Sequence, residues 1–164
     1  MILYHGTNQD IVTIDLTIGT KFKDFGQGFY VTPDLPTAER MAEKKVRFAG
    51  GSPTIIEYDL DESIFLQSDL RMLRFPEKAT PEWINFIYKH RDRYNTVPLE
   101  QYDIVIGPIA DDGVALQLNN YHDRLLTPQQ AADALQDKYL DQQYYFGSQK
   151  ALNYLTKKRQ WQIN

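Results

Sequence analysis

The sequence predicts an α+β fold built on antiparallel sheet. Strand and helix patterns are interspersed without a regular βαβ rhythm. The strand patterns are short, and Thr54 to Leu60 alternates apolar and polar residues, as a half-buried antiparallel strand does. At 164 residues, the length suits one domain spanning 1–164 with a core that needs no covalent staples.

The first expected strand runs from Ile2 to His5 and stops at Gly6. Residues 8–25 have no clear period and read as loop. Phe29 to Thr32 is a second short strand. Pro33-Asp34 then opens a helix with Leu35, Ala38, Ala42, Val46 and Ala49 at helical spacing. Gly50-Gly51-Ser52-Pro53 is a loop leading to the strand at Thr54. Thr80-Pro81 is a helix start, an N-cap followed by proline in the first turn, with Trp83, Phe86, Ile87, His90 and Tyr94 on one stripe. Asp103 to Gly107 reads as a buried strand, and Asp111-Asp112 as the polar turn after it. Thr127-Pro128 repeats the helix signature ahead of Ala131, Ala132, Leu135 and Tyr139. Gln143 to Phe146 is a strand. Ser148 caps a last helix holding Ala151, Leu152 and Leu155, and Trp161 to Ile163 closes the chain as a strand.

Composition excludes several chemistries. There is no cysteine, so disulfide frameworks, thiolate metal sites and cysteine nucleophiles are ruled out. A net charge of −4 disfavours a protein that coats nucleic acid through bulk phosphate contacts. His5, His90 and His122 fall in no ligand-spaced motif, so no metal is expected. Gly26-Gln27-Gly28 precedes a strand and lacks the third glycine of a dinucleotide fingerprint. The N-terminal Met-Ile-Leu-Tyr-His-Gly has no basic region before an apolar stretch, and no apolar run reaches membrane-spanning length. The expectation is a cytoplasmic protein without a membrane partner. The clusters Lys44-Lys45-Arg47, Lys89-Arg91-Arg93 and Lys157-Lys158-Arg159 are read as helix C-terminal charges.

Three segments carry candidate chemistry: Tyr4-His5-Gly6-Thr7 at the end of the first strand, Asp24-Phe25-Gly26-Gln27-Gly28-Phe29-Tyr30, and Gln142-Gln143-Tyr144-Tyr145-Phe146. In this order they resemble the ADP-ribosyltransferase superfamily. The likeness is to its histidine–tyrosine–glutamate branch, which includes diphtheria toxin and the poly(ADP-ribose) polymerases. The chain is more similar still to a bacterial family of unknown function whose members are predicted to be small ADP-ribosyltransferases. Tyr102 to Pro108, Ala110-Asp111-Asp112 and Lys150-Ala151-Leu152 extend that likeness over nearly the whole chain.

The resemblance implies a split β-sandwich of two small antiparallel sheets with surrounding helices, and NAD in the cleft as co-substrate. It implies a binding set of His5, Gly6, Thr7, Gly28, Phe29, Tyr30 and Met41, with His5, Tyr30 and Gln143 in the catalytic roles. His5 would hold the adenosine ribose, the Gly6 backbone the nicotinamide carboxamide, and the Tyr30 ring the nicotinamide. Gln143 stands where the branch has glutamate; its amide accepts the ribose hydrogen bond but brings no negative charge. Met41 falls where the polymerases place a second tyrosine. Both departures argue against polymer elongation and leave mono-ADP-ribosyl transfer, NAD hydrolysis or a non-catalytic scaffold that binds NAD or a protein. Asp141, two residues before Gln143, is the candidate acceptor-side residue. The acceptor would be a protein or nucleic acid. The function implied is an intracellular bacterial toxin or phage-defence effector, with an antitoxin as a candidate partner.

Overall fold

The computed structural model describes residues 1–163, with the side chain of Asp112 outside the described set. In chain order the elements are β1 (Ile2–Thr7), β2 (Phe29–Val31), α1 (Leu35–Ala49), β3 (Thr54–Leu60), a 3-10 turn (Glu62–Leu66), β4 (Met72–Arg74), α2 (Pro81–Arg91), β5 (Ile104–Pro108), α3 (Asp112–His122), α4 (Pro128–Asp133), β6 (Gln142–Phe146), α5 (Gln149–Leu152) and β7 (Leu155–Gln162). Two sheets result, one ordered β1-β3-β7 and the other β2-β6-β5-β4. The architecture is an α+β split sandwich. All strand pairs are antiparallel except β4 and β5. That parallel pair departs from the expected antiparallel sheets. It is reached through α2, the crossover that a parallel neighbour requires.

Side-chain alternation builds the layers. Leu3, Ile56, Tyr58 and Leu60 of the first sheet meet Phe29, Val31, Ile104, Ile106, Tyr144 and Phe146 of the second. Each fully buried large apolar side chain contributes about 1.5–3 kcal/mol. The other face of the second sheet presents Val105 and Tyr145 to Trp83, Ile84, Ile87, Val114, Leu118, Ala131 and Leu135 from the α2–α4 region. On the outer face of the first sheet, α1 seats Ala38 and Ala42 against Ile55. Gly6 permits that approach: a Cβ there would lie 1.9 Å from Ala38 O, a backbone atom that cannot swing aside.

Several local expectations are corrected. Helix α2 stops at Arg91, and Tyr94 is 89% exposed and not part of its buried stripe. Helix α4 ends at Asp133, leaving Leu135 buried but Tyr139 exposed. Asp111 is not in a simple turn. Its carboxylate accepts from the Gly113 and Val114 N–H groups and caps α3, which periodicity did not reveal. Helix α5 has only four residues, and Leu155 already belongs to β7. The Lys157-Lys158-Arg159 cluster therefore lies on an edge strand. Arg159 pairs with Glu57 at 2.7 Å and Lys158 with Asp59 at 3.7 Å, so cross-strand carboxylates, not a helix dipole, account for it. Among the described residues, no helix is long and apolar enough to cross a membrane.

Candidate functional site

The two sheets separate where β1 leaves β2. Tyr4 and Thr32 exchange both backbone hydrogen bonds, at 2.7 and 2.9 Å, and the strands then diverge. By alternation, the Tyr30 carbonyl faces the same side as Thr32 and meets no further strand. The His5 ring fills the gap, with Nδ1 2.6 Å from Tyr30 O. The acceptor is a carbonyl, so Nδ1 carries the proton and Nε2 keeps its lone pair. Lys45 Nζ reaches Nε2 at 3.4 Å and donates to Gly6 O at 2.7 Å. The His5 ring also stacks on Phe29, with centroids 4.5 Å apart. Burial, reinforced by the Lys45 charge, pushes the His5 pKa down to about 3, and the imidazole is neutral.

Tyr30 is fixed by the loop before it. Its hydroxyl donates to Gly26 O at 2.6 Å and accepts from the Phe25 N–H at 3.1 Å. Gly26 adopts φ +94°, a left-handed conformation that favours glycine and turns that carbonyl. Burial, aided by the Asp24 charge, raises the Tyr30 phenol well above its ordinary pKa. The ring packs edge-on to Tyr145 at 5.2 Å, and Lys23 Nζ stands 5.1 Å from its centroid. Gly28 lies against β6, where a Cβ would come 2.3 Å from the Tyr145 ring and 2.6 Å from Phe146 O.

Gln143 is buried on β6, on the Tyr145 side of the sheet. Its Nε2 donates to Asp24 Oδ2 at 2.7 Å and to Pro108 O at 3.1 Å. Both acceptors demand the amide N–H groups, which fixes the amide orientation. Asp24 is itself buried. Arg91 Nε and Nη2 donate to its Oδ1 at 2.9 and 2.5 Å, and the Ala110 N–H to its Oδ2 at 3.0 Å. Arg91 Nη2 also donates to Ala110 O at 2.7 Å. One carboxylate thus ties the tyrosine loop, α2, the segment before α3 and β6 together. A family model described as "Protein of unknown function (DUF3990)" matches residues 1–156. The chain belongs to the DUF3990 family. No curated protein and no solved structure gave a match.

The matched span of the DUF3990 chain runs from β1 into β7 and includes each candidate site residue from His5 to Gln143. The fold gathers His5, Gly6, Phe29 and Tyr30 at the split. The Phe29 side chain is committed to the core between the sheets, and Thr7 is buried at the end of β1. Met41 is half-buried on α1, one turn before Lys45. Asp141 lies one residue before β6 and forms an ion pair with Arg40 Nη2 at 2.6 Å. The Gly6 carbonyl, expected to face a carboxamide, is taken here by Lys45.

Sequence reasoning gave no role to Asp24, Arg91, Lys23 or Lys45 in this DUF3990 chain. Arg91 and Lys45 stood among charges assigned to helix ends, and Asp24 was one letter of a loop. Their roles come from contacts across sequence separations of 119 for Gln143–Asp24 and 67 for Arg91–Asp24, which no local period encodes. A cavity of about 250 Å³, lined by Phe25, Gly26, His90, Tyr102 and Tyr145 among others, adjoins the loop that holds Tyr30 but is lined by none of the predicted site residues.

Proposed function

We propose that this DUF3990 protein is an NAD-dependent mono-ADP-ribosyltransferase of the histidine–tyrosine–glutamate type, with Gln143 in the glutamate position. The observation that carries this reading is the meeting of His5, Gly6 and Tyr30 at the split between the sheets, with Gln143 two strands from β1 on the face that carries Tyr145. These are the positions the sequence resemblance singles out.

Cleavage of the nicotinamide–ribose bond passes through an oxocarbenium-like state, as glycoside cleavage does. The bonding pair leaves with nicotinamide, which departs neutral. The ribose carbon then accepts a lone pair from an acceptor group or from water, and that nucleophile gives up its proton. Tyr30 would offer a ring face to the leaving nicotinamide. Neutral His5 would act as a hydrogen-bonding group and not as a proton donor. The Gln143 oxygen would accept from the ribose hydroxyl. Asp24, hydrogen-bonded to the same amide, polarises it and strengthens the oxygen as an acceptor.

Incubation of the protein with labelled NAD and a cell lysate tests the proposal. The expected result is release of free nicotinamide, with label in a macromolecule or in ADP-ribose. NAD left intact across a range of lysates would overturn it. A second reading, a non-catalytic NAD-binding module, is favoured by the use of both Gln143 amide N–H groups as structural donors. It predicts calorimetric NAD binding with no nicotinamide released.

A further inference from the structure

We propose that Lys23 and Lys45 form a diphosphate-binding pair at the mouth of the split between β1 and β2, and that Lys45 switches between Gly6 O and a bound phosphoryl oxygen. This rests on the NAD reading for the identity of the ligand, and it deepens that reading by naming the groups that hold the dinucleotide's linkage.

Two cations from unrelated segments converge here. Lys23 comes from the loop before β2, and Lys45 from the third turn of α1. Lys45 Nζ lies 2.7 Å from Gly6 O and 3.4 Å from His5 Nε2. Lys23 Nζ sits 5.1 Å from the Tyr30 ring centroid. Among the described residues, neither ammonium forms an ion pair with a carboxylate. The nearest acid along the chain, Asp24, is already held by Arg91, Gln143 and the Ala110 N–H. The contacts of the two lysines are a carbonyl, an imidazole lone pair and an aromatic face. Such partners orient an ammonium without neutralising it, and the Asp24 charge favours Lys23 alone.

The electrostatics agree. Withdrawal from water, with the Lys23 charge adding, brings Lys45 down to about 8, and burial also lowers Lys23. Two like charges held close and partly dehydrated favour a polyanion over a monovalent ion. A diphosphate carries charge on both phosphoryl groups and gains a charge-assisted hydrogen bond from each lysine.

The Lys45 contact also supplies a coupling. While Lys45 donates to Gly6 O, that carbonyl is engaged. Transfer of the ammonium to a phosphoryl oxygen frees Gly6 O to accept from a carboxamide N–H. Diphosphate binding therefore prepares the nicotinamide end of the site, and nicotinamide alone lacks the group that draws Lys45 away.

Calorimetry on the full chain tests this with NAD and inorganic pyrophosphate as probes. The proteins are wild type, Lys23→Gln, Lys45→Gln and the charge-keeping Lys45→Arg, with melting temperature as the control for folding. The expected result is NAD affinity reduced about tenfold in each glutamine variant, since a hydrogen bond to a charged group is typically worth that much or more. Pyrophosphate binding is lost in both glutamine variants, Lys45→Arg recovers most of it, and every variant still melts as a folded protein. NAD bound equally well by wild type and both glutamine variants would overturn the lysine pair and leave the NAD reading standing. Lysine-dependent pyrophosphate binding without NAD binding would uphold the pair and overturn the NAD reading. Failure of wild type to bind either probe would overturn both.

Discussion

The Gln143 side-chain amide donates to the buried Asp24 carboxylate at 2.7 Å, across 119 residues of sequence. The residue in the expected glutamate position is therefore a hydrogen-bond donor to an acid. A glutamate there would set two carboxylates against each other. The glutamine is matched to Asp24, and Asp24 to Arg91.

Asp24→Ala should be severely destabilising. It leaves the Arg91 guanidinium, one Gln143 N–H and the Ala110 N–H without their shared acceptor. Breaking one member of a buried charged network typically costs about 3–5 kcal/mol. Urea denaturation of the variant beside wild type measures it. A loss below about 1 kcal/mol would mean the network contributes little.

Gln143→Glu should separate stability from chemistry. At neutral pH it loses the two donated bonds and places a second carboxylate beside Asp24, for a loss of about 2 kcal/mol or more. The loss should shrink toward pH 5, because a glutamic acid raised by that neighbour takes up a proton and again donates to Asp24. Per folded molecule, the restored carboxylate should raise NAD cleavage. Melting at pH 5 and 8, beside single-turnover cleavage, reads both. Equal destabilisation at the two pH values would contradict the like-charge account.

His5 should remain neutral in the folded state down to low pH. Its folded pKa of about 3 lies below the ordinary value of 6.5, so the unfolded chain binds the extra proton between those values. Stability is full above about 6.5 and is lost as pH falls toward 3. Nitrogen NMR should show the Nδ1–H tautomer at pH 7 and no imidazolium at pH 5. A His5 resonance that titrates near 6.5 would reject the half-buried, Tyr30-bonded geometry.

Lys45 shifts stability in the same direction as His5, in a more alkaline window. Its folded pKa of about 8 lies below the unfolded value of 10.5, so folding disfavours the charged form and stability rises with pH between about 8 and 10.5. In the free folded protein the ammonium is lost around pH 8. Diphosphate binding should therefore weaken above pH 8 in wild type and hold in Lys45→Arg, as pyrophosphate calorimetry at pH 7 and 9.5 would show.

Gly6→Ala should displace α1. The added methyl meets Ala38 O at 1.9 Å and Ala42 N at 2.9 Å, both backbone atoms of α1. A loss of about 1–3 kcal/mol or more is expected, with accelerated hydrogen exchange in α1 and β1. Unchanged exchange would show that the helix accommodates the methyl.

The sequence by itself determined the local elements with strong signals. Thr54–Leu60 was legible as a strand from its alternation, but it is not half-buried: α1 covers its second face, so Ile55 and Glu57 are buried as well as Ile56, Tyr58 and Leu60. Helices α1 and α2 were legible from Asp34 and Thr80 caps with apolar spacing behind them. It marked His5, Gly6 and Tyr30 as candidates, and the fold brings them together. Signals of short range failed where tertiary pairing overrides them. Leu155 continues a helical spacing, yet it belongs to β7 because Leu60 and β3 offer it a ladder. Lys157, Lys158 and Arg159 look like a helix end but answer acids on the neighbouring strand and loop. Only the tertiary structure decided what Asp24, Arg91, Lys23 and Lys45 do. The buried Asp24 carboxylate must find donors wherever the chain brings them, and Arg91, Ala110 and Gln143 lie 67, 86 and 119 residues away, beyond any period that a local pattern can carry.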